Sequence, residues 1–198
     1  MKKKSKSNYN SFVYQKKYIN SEEIGTIMDF NPYETKKDLI KKKLFGIHKF
    51  PDPNEKIKDN KKIKPYANLF FSILKKRNYK PAFFVKDFFS SCLDGYHINS
   101  KTILEIKCPL NKNDLIWKIF FQKQKIPLFY WSQIQCNLYC SEAEKAYFFV
   151  YLDEQEFYLK EIFLNKEFIQ EMIIKCQNFQ KLLKKYEKLF EKKITKIN

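Results

Sequence analysis

Arginine is almost absent from this sequence of 198 residues: Arg77 is the only one, and every other basic residue is a lysine. Glycine is nearly as rare, with three in the chain. The scarcity of glycine and alanine beside abundant Lys, Asn, Ile, Phe and Tyr is the mark of AT-rich coding. The formal net charge of +17 is therefore partly coding bias, and supports a polyanionic partner only modestly. If coding bias were its whole origin, the chain would be a structural or protein-interaction domain. Cysteine is present in an odd number, five, at spacings that suggest no disulfide framework, so a reducing cytoplasm is expected. Cys136 and Cys140, four apart on an expected helix, are not joined by the two histidines, His48 and His97, which lie in other segments. They read as small buried thiols, and the cysteine cluster of an iron–sulfur nuclease is missing. No segment approaches the roughly 20 apolar residues of a membrane span. Lys2, Lys3 and Lys4 are followed by polar residues, so no signal peptide is expected.

What is present suits one domain with a core: 44% of the residues are hydrophobic. Residues 1–17 read as a mobile basic arm, and 18–198 as a single domain. Ser21 can cap a helix over 22–29, which Asn31-Pro32 breaks. Thr35 with Asp38 forms a capping box for a helix over 35–45, ended by Gly46. A polar loop over 48–60 precedes a helix over 61–77, where Pro65 is tolerable only in the first turn. The period then changes. Residues 82–93 and 102–108 read as the strands of a hairpin turning at Asn99-Ser100-Lys101, and Pro109 ends the second strand. A helix is expected over 112–124, and another from Pro127 to Cys140. Strands over 146–152 and 156–164 flank Asp153-Glu154-Gln155. A helix over 166–192 closes the chain, with Phe168, Met172, Phe179, Leu182, Leu183, Tyr186, Leu189 and Phe190 on one stripe. This order predicts an α+β (α/β) domain with a mixed central sheet flanked by helices.

The chemistry gathers around Leu93-Asp94-Gly95 and Leu104-Glu105-Ile106-Lys107. Side chains alternate along a strand, so Glu105 and Lys107 share one face and Leu104 and Ile106 the other. A two-residue loop at Asn99-Ser100 would set Asp94 opposite Glu105 and Cys92 opposite Lys107, with facing Cβ atoms roughly 4.5–5.5 Å apart. Two carboxylates so placed repel unless a cation lies between them. Mg²⁺, a hard ion that takes oxygen ligands, resolves that conflict, with Mn²⁺ as its substitute. Such an ion polarises a phosphodiester and acidifies a water. Lys107 would then stabilise the developing charge, or orient or deprotonate the water. A Glu-x-Lys alone is also what a weak surface pair on a half-exposed hairpin looks like; the Asp-Gly in matching register sets this one apart.

The pattern LDG, nine residues, EIKCP, and then LFYWSQIQCNLYCSEAEKAYFFVYL resembles the phage-type recombination exonucleases. These are the YqaJ-like viral recombinases, lambda exonuclease among them, of the PD-(D/E)XK nuclease superfamily. The segment SEEIGTIMDFNPYETKKDLIKKKLFG resembles their N-terminal motif, and the likeness spans about residues 19–165. It implies a restriction-endonuclease-like core and a Mg²⁺-dependent exonuclease, 5′→3′ on double-stranded DNA ends. It further implies a ring of protomers around DNA and a single-strand annealing partner. By position, Asp94, Glu105 and the Ile106 carbonyl would hold the metal, Lys107 would be the catalytic lysine, and Tyr130 and Gln133 would line the site. Ser21 would sit near the DNA end. Lys16 or Lys17 would stand in for a phosphate-gripping arginine that this chain lacks. One departure is serious. Where the family opens a helix with G-x-x-x-E-P, this chain has Asn60 for the Gly and Lys64 for the Glu. Lys64 would repel a metal or pair with Asp94. Either Asp94, Glu105 and waters suffice, or Glu55 or Asp59 substitutes, or the chain binds DNA on this scaffold without cutting it.

Overall fold

The computed structural model describes residues 17–46 and 54–194, with the side chains of 54–61 and 192–194 excepted. Most of the expected arm, including Lys16, and the side chains of Glu55 and Asp59 lie outside the described residues. The element order is β1 (Ile19–Asn20), a 3₁₀ turn (Ser21–Glu23), α1 (Ile24–Ile27), α2 (Lys36–Phe45), α3 (Asn54–Leu74), β2 (Lys80–Lys86), β3 (Phe89–His97), β4 (Thr102–Lys107), α4 (Leu115–Lys123), α5 (Leu128–Ser141), β5 (Lys145–Tyr151), β6 (Phe157–Ile162) and α6 (Lys166–Ile194). Among the described residues no helix is long and apolar enough to cross a membrane.

The six strands among the described residues form one mixed sheet, ordered β1-β3-β4-β5-β6, with β2 paired to β3. This is the expected architecture, a mixed central sheet between helical layers. β2 runs along one edge of β3 for its whole length. The other edge is shared: β1 pairs with Phe89 and Ser90, and β4 with Gly95, Tyr96 and His97. Between them, Ser91 to Asp94 have no strand partner on that side among the described residues. β4 continues past this gap and pairs in parallel with β5 from Thr102↔Lys145 to Lys107↔Val150.

β4 is buried on both faces, so its polar residues Thr102 and Glu105 are enclosed along with Ile103, Leu104 and Ile106. Ile103 joins the larger core with Phe148, Phe120, Ile134 and Cys136 under α5. Leu104 and Ile106 join a second core with Phe71, Tyr79, Tyr147 and Phe149 under α3. Cys136 and Cys140 are buried free thiols on α5, Sγ to Sγ 4.0 Å, as expected of small core residues.

Several expectations need correction. Residues 82–93 are not one strand: the chain turns at Asp87-Phe88, with Asp87 at φ 53°, so β2 and β3 form their own hairpin. Asn20, not Ser21, leads the first helical turn, its backbone N–H donating to Glu23 Oε2 at 3.0 Å. Helix α3 begins at Asn54, so 54–60 is helical rather than loop and Pro65 lies well inside the helix. There the proline removes one backbone donor, and packing of Ala67 and Phe71 against the sheet offsets that loss. The α6 stripe is buried only over its first half: Phe168, Met172 and Phe179 are in the core, whereas Leu182, Tyr186, Leu189 and Phe190 are exposed.

The Thr35 box forms as predicted. Thr35 Oγ1 accepts from Asp38 N at 3.3 Å, and Asp38 Oδ2 accepts from Thr35 N at 3.2 Å. Thr35→Ala is expected to destabilise the protein by about 1 kcal/mol, read as a lower urea midpoint at unchanged slope.

Candidate active site

The register of β3 on β4 is the predicted one, Gly95↔Leu104, Tyr96↔Ile103 and His97↔Thr102, but it closes through a four-residue turn, 98–101, instead of two residues. The ladder stops at Gly95↔Leu104, so Asp94 does not lie across from Glu105, nor Cys92 across from Lys107. The cause is a β-bulge. Lys80 pairs with Tyr96 and Ala82 with Leu93, leaving Asp94 and Gly95 opposite the single residue Pro81. Proline lacks an N–H, so the irregular side of the ladder costs no donor there. Gly95 is required at this point: a Cβ would come within 2.8 Å of Tyr79 Cβ, 3.1 Å of Asn68 Nδ2 and 3.2 Å of Leu104 Cβ.

The bulge turns the Asp94 carboxylate into the gap between the strands. Asp94 Oδ2 accepts from the Ile106 backbone N–H at 2.8 Å, replacing the strand partner that β4 has lost. A strand residue's N–H and C=O leave on the same side, so the Ile106 carbonyl faces this gap too. Helix α3 grips Asp94 twice from one face. Asn68 Nδ2 donates to the Asp94 backbone carbonyl at 2.8 Å, and Lys64 Nζ lies 2.9 Å from each carboxylate oxygen. Of the outcomes expected for Lys64, pairing with Asp94 is the one observed. The Lys64 side chain is 35% exposed and that of Asp94 21%, so solvent screens the pair, and such pairs contribute about 0–1 kcal/mol.

Glu105 and Lys107 share the α5 face of β4, as alternation requires, but they are not a surface pair. Glu105 is 2% exposed. Its Oε1 accepts from Lys107 Nζ at 2.7 Å and Gln133 Nε2 at 3.1 Å, and its Oε2 from Asn137 Nδ2 at 3.1 Å. Gln133 Oε1 in turn accepts from Lys107 Nζ at 3.1 Å, and Asn137 Oδ1 from Ser91 Oγ at 2.7 Å. Lys107 Nζ also stands over the Tyr130 ring, 4.3 Å from its centroid. Burial raises the pKa of Glu105, and Lys107 opposes that rise. Burial pulls the Lys107 ammonium down, but Glu105, first among its neighbours, pushes it up further, so the net shift is upward. Burial also raises the Tyr130 phenol.

Of the five residues expected together, Glu105 and Lys107 from β4 and Tyr130 and Gln133 from α5 are in direct contact, and Asp94 from β3 stands beside them, bonded to the amide of Ile106 between Glu105 and Lys107. Ser21 is buried, and Lys17 is exposed with its Nζ 5.4 Å from the centroid of the Tyr18 ring; neither bonds to the cluster. Two participants went unforeseen. Asn137 follows Gln133 by one helical turn, and a second amide on a buried helix face is the signal that could have found it. Asn68 stands in the same relation to Lys64. Gln135, two residues on, has a different job: its Nε2 donates to Phe163 O at 2.9 Å and its Oε1 accepts from Asn165 N at 2.8 Å, fixing the connection into α6. A groove of about 1090 Å³, lined by Trp131, Phe163 and Leu164 among others, lies apart and shares no residue with the cluster.

The donor chemistry suits a hard cation: two carboxylates and the Ile106 carbonyl offer only oxygen. Occupancy and charge work against it. Both Asp94 oxygens already face Lys64, and two carboxylates are balanced by two ammonium groups. Among the described residues no three His, Cys, Asp or Glu side chains gather as a metal cluster. An oxygen site for one ion therefore exists only with Lys64 withdrawn from Asp94.

No protein-family model and no curated protein matches the sequence. Solved structures do match. An alkaline exonuclease from Laribacter hongkongensis (LHK-Exo) superposes with a TM-score of 0.74 at 16% identity, over 94% of this chain and 98% of that one. The same enzyme in complex with dAMP matches equally, with a TM-score of 0.74. A phage-related exonuclease from Haemophilus somnus 129PT gives 0.68 at 13% identity, over 88% of this chain and 96% of that one. At such identities the likeness is one of fold, and it extends over nearly the full length of both chains.

Proposed function

We propose that this chain is a Mg²⁺-dependent exonuclease that shortens double-stranded DNA ends, 5′→3′, in phage-type homologous recombination. The observation that carries this reading is the convergence of Asp94, Glu105, Lys107, Tyr130 and Gln133, from three separate elements, at one break in the sheet. The exonuclease fold supports it, as does the net charge of +17, which favours a polyanion. Polarity, a ring of protomers and an annealing partner rest on the sequence resemblance.

Asp94, Glu105 and the Ile106 carbonyl would hold Mg²⁺ or Mn²⁺, which supplies a polarised phosphodiester and an acidified water. The chain's own residues do the positioning. Gln133 and Asn137 each donate to a different Glu105 oxygen and fix the carboxylate plane. Lys107, anchored by Glu105 and Gln133 over the Tyr130 ring, presents a fixed positive charge to a phosphate that becomes more negative as it reacts.

A second reading, DNA binding without cleavage on the same scaffold, is favoured by one contact, the two-point grip of Lys64 on Asp94. Incubating the purified chain with linear duplex DNA in Mg²⁺ or in EDTA separates the two. The expected result is shortening that requires Mg²⁺ and is blocked by phosphorothioate linkages at the 5′ ends. Duplex that is bound but stays intact in Mg²⁺ would overturn the exonuclease reading in favour of the second.

A further inference from the structure

We propose that Lys64 is a tethered cation that occupies Asp94 until DNA arrives, so that a divalent metal loads on the DNA-bound protein and not on the free one. The inference rests on the exonuclease reading for what the metal then does. The contact itself stands independently of that reading.

The two lysines of the cluster are built differently. Lys107 is anchored at three points, to Glu105, Gln133 and the Tyr130 ring, and its side chain is only 14% exposed. Among the described residues Lys64 bonds to Asp94 alone, at 2.9 Å to both oxygens, and is far more exposed. Its flexible four-carbon stem on α3 lets the ammonium leave Asp94 for another anion without moving the helix. One lysine is therefore fixed and the other is free to exchange.

Charge gives the exchange its direction. With Lys64 in place the cluster is neutral and Asp94 Oδ2 carries two donors, Lys64 and the Ile106 amide, so a free dication gains little by entering. A phosphodiester changes both conditions together. It offers Lys64 an alternative anion, and it adds negative charge beside the vacated Asp94. Metal and DNA then each raise the affinity of the other, as linkage requires. Without Lys64 the free protein would carry Asp94 as an uncompensated acid, since Lys107 is already committed to Glu105.

Titrating the full chain with Mn²⁺, read by the loss of its free-ion EPR signal, tests this. Wild type, Lys64→Gln and Lys64→Met are compared alone and with a short duplex whose linkages are all phosphorothioate. Alone, both variants are expected to bind Mn²⁺ roughly tenfold more tightly than wild type, and the duplex to raise wild-type affinity by a similar factor while raising theirs little. Equal Mn²⁺ affinity of wild type and variants without DNA would overturn the proposal, as would wild-type affinity indifferent to the duplex. The failure of the exonuclease reading looks different: the Mn²⁺ pattern appears as expected, yet an ordinary duplex is not shortened by any of the three proteins.

Discussion

Lys107→Met is expected to lower Mg²⁺-dependent shortening of duplex DNA by roughly 10²–10³-fold, the scale of losing one fixed charge at a reacting phosphate. The same change is expected to cost about 3–5 kcal/mol of folding stability, because it strands a buried carboxylate. Glu105 is fully enclosed, and Lys107 is the cation in contact with it; Gln133 and Asn137 supply only neutral donors. The two effects separate in the double variant. Glu105→Gln with Lys107→Met removes both charges at once and should recover most of the stability, since an amide can still bond Gln133 and Asn137. It should recover none of the cleavage. Urea denaturation and the duplex assay, run on both variants, read the two quantities. A single variant as stable as wild type would mean that water reaches Glu105.

Gly25→Ala is the second large effect. A Cβ on Gly25 would lie 2.6 Å from Phe129 Cβ and 3.0 Å from Phe129 Cα, so α1 and the start of α5 would have to part. Overpacking of this kind costs about 1–3 kcal/mol, and the upper end is expected because the obstacle includes backbone. The next residue after Phe129 is Tyr130, whose ring lies under Lys107. Parting the helices therefore also disturbs the support of that ammonium. A fall in cleavage alongside a fall in urea midpoint is the expected outcome. Full activity with lowered stability would show that Tyr130 is held by its neighbours Trp117 and Phe148 rather than by the seat of α5.

The parts of this molecule that were legible in the sequence are those written in periodicity and in polar residues out of place. Alternation puts Glu105 and Lys107 on one face of β4, and the hairpin keeps the expected register from Gly95↔Leu104 to His97↔Thr102. Gln133 is legible through the resemblance, which puts it in the site, and it bonds Glu105 and Lys107 there. What was not legible came from backbone irregularities that alternation does not encode. The run from Phe83 to Phe89 is aromatic and β-branched on both sides of Lys86-Asp87, and no glycine or proline marks the turn there. Asp87 takes a left-handed conformation that a sequence reading assigns first to glycine or asparagine. The bulge at Asp94-Gly95 is hinted at only by Gly95 and by Pro81 opposite it, not by alternation, yet it decides that the two acids are offset rather than opposed. Lys64 was visible as a departure from a pattern. Its partner was foreseeable only as one of two outcomes, because charge alone does not fix which acid a flexible lysine reaches.

The gap in β3 gives the molecule an internal reporter. The Ile106 amide proton finds its acceptor in Asp94 rather than in a neighbouring strand. Whatever takes hold of that carboxylate, whether ammonium, ion or proton, alters the field at a single backbone nucleus. The ¹H–¹⁵N cross-peak of Ile106 therefore follows the occupancy of Asp94 residue by residue in solution, without any probe being attached.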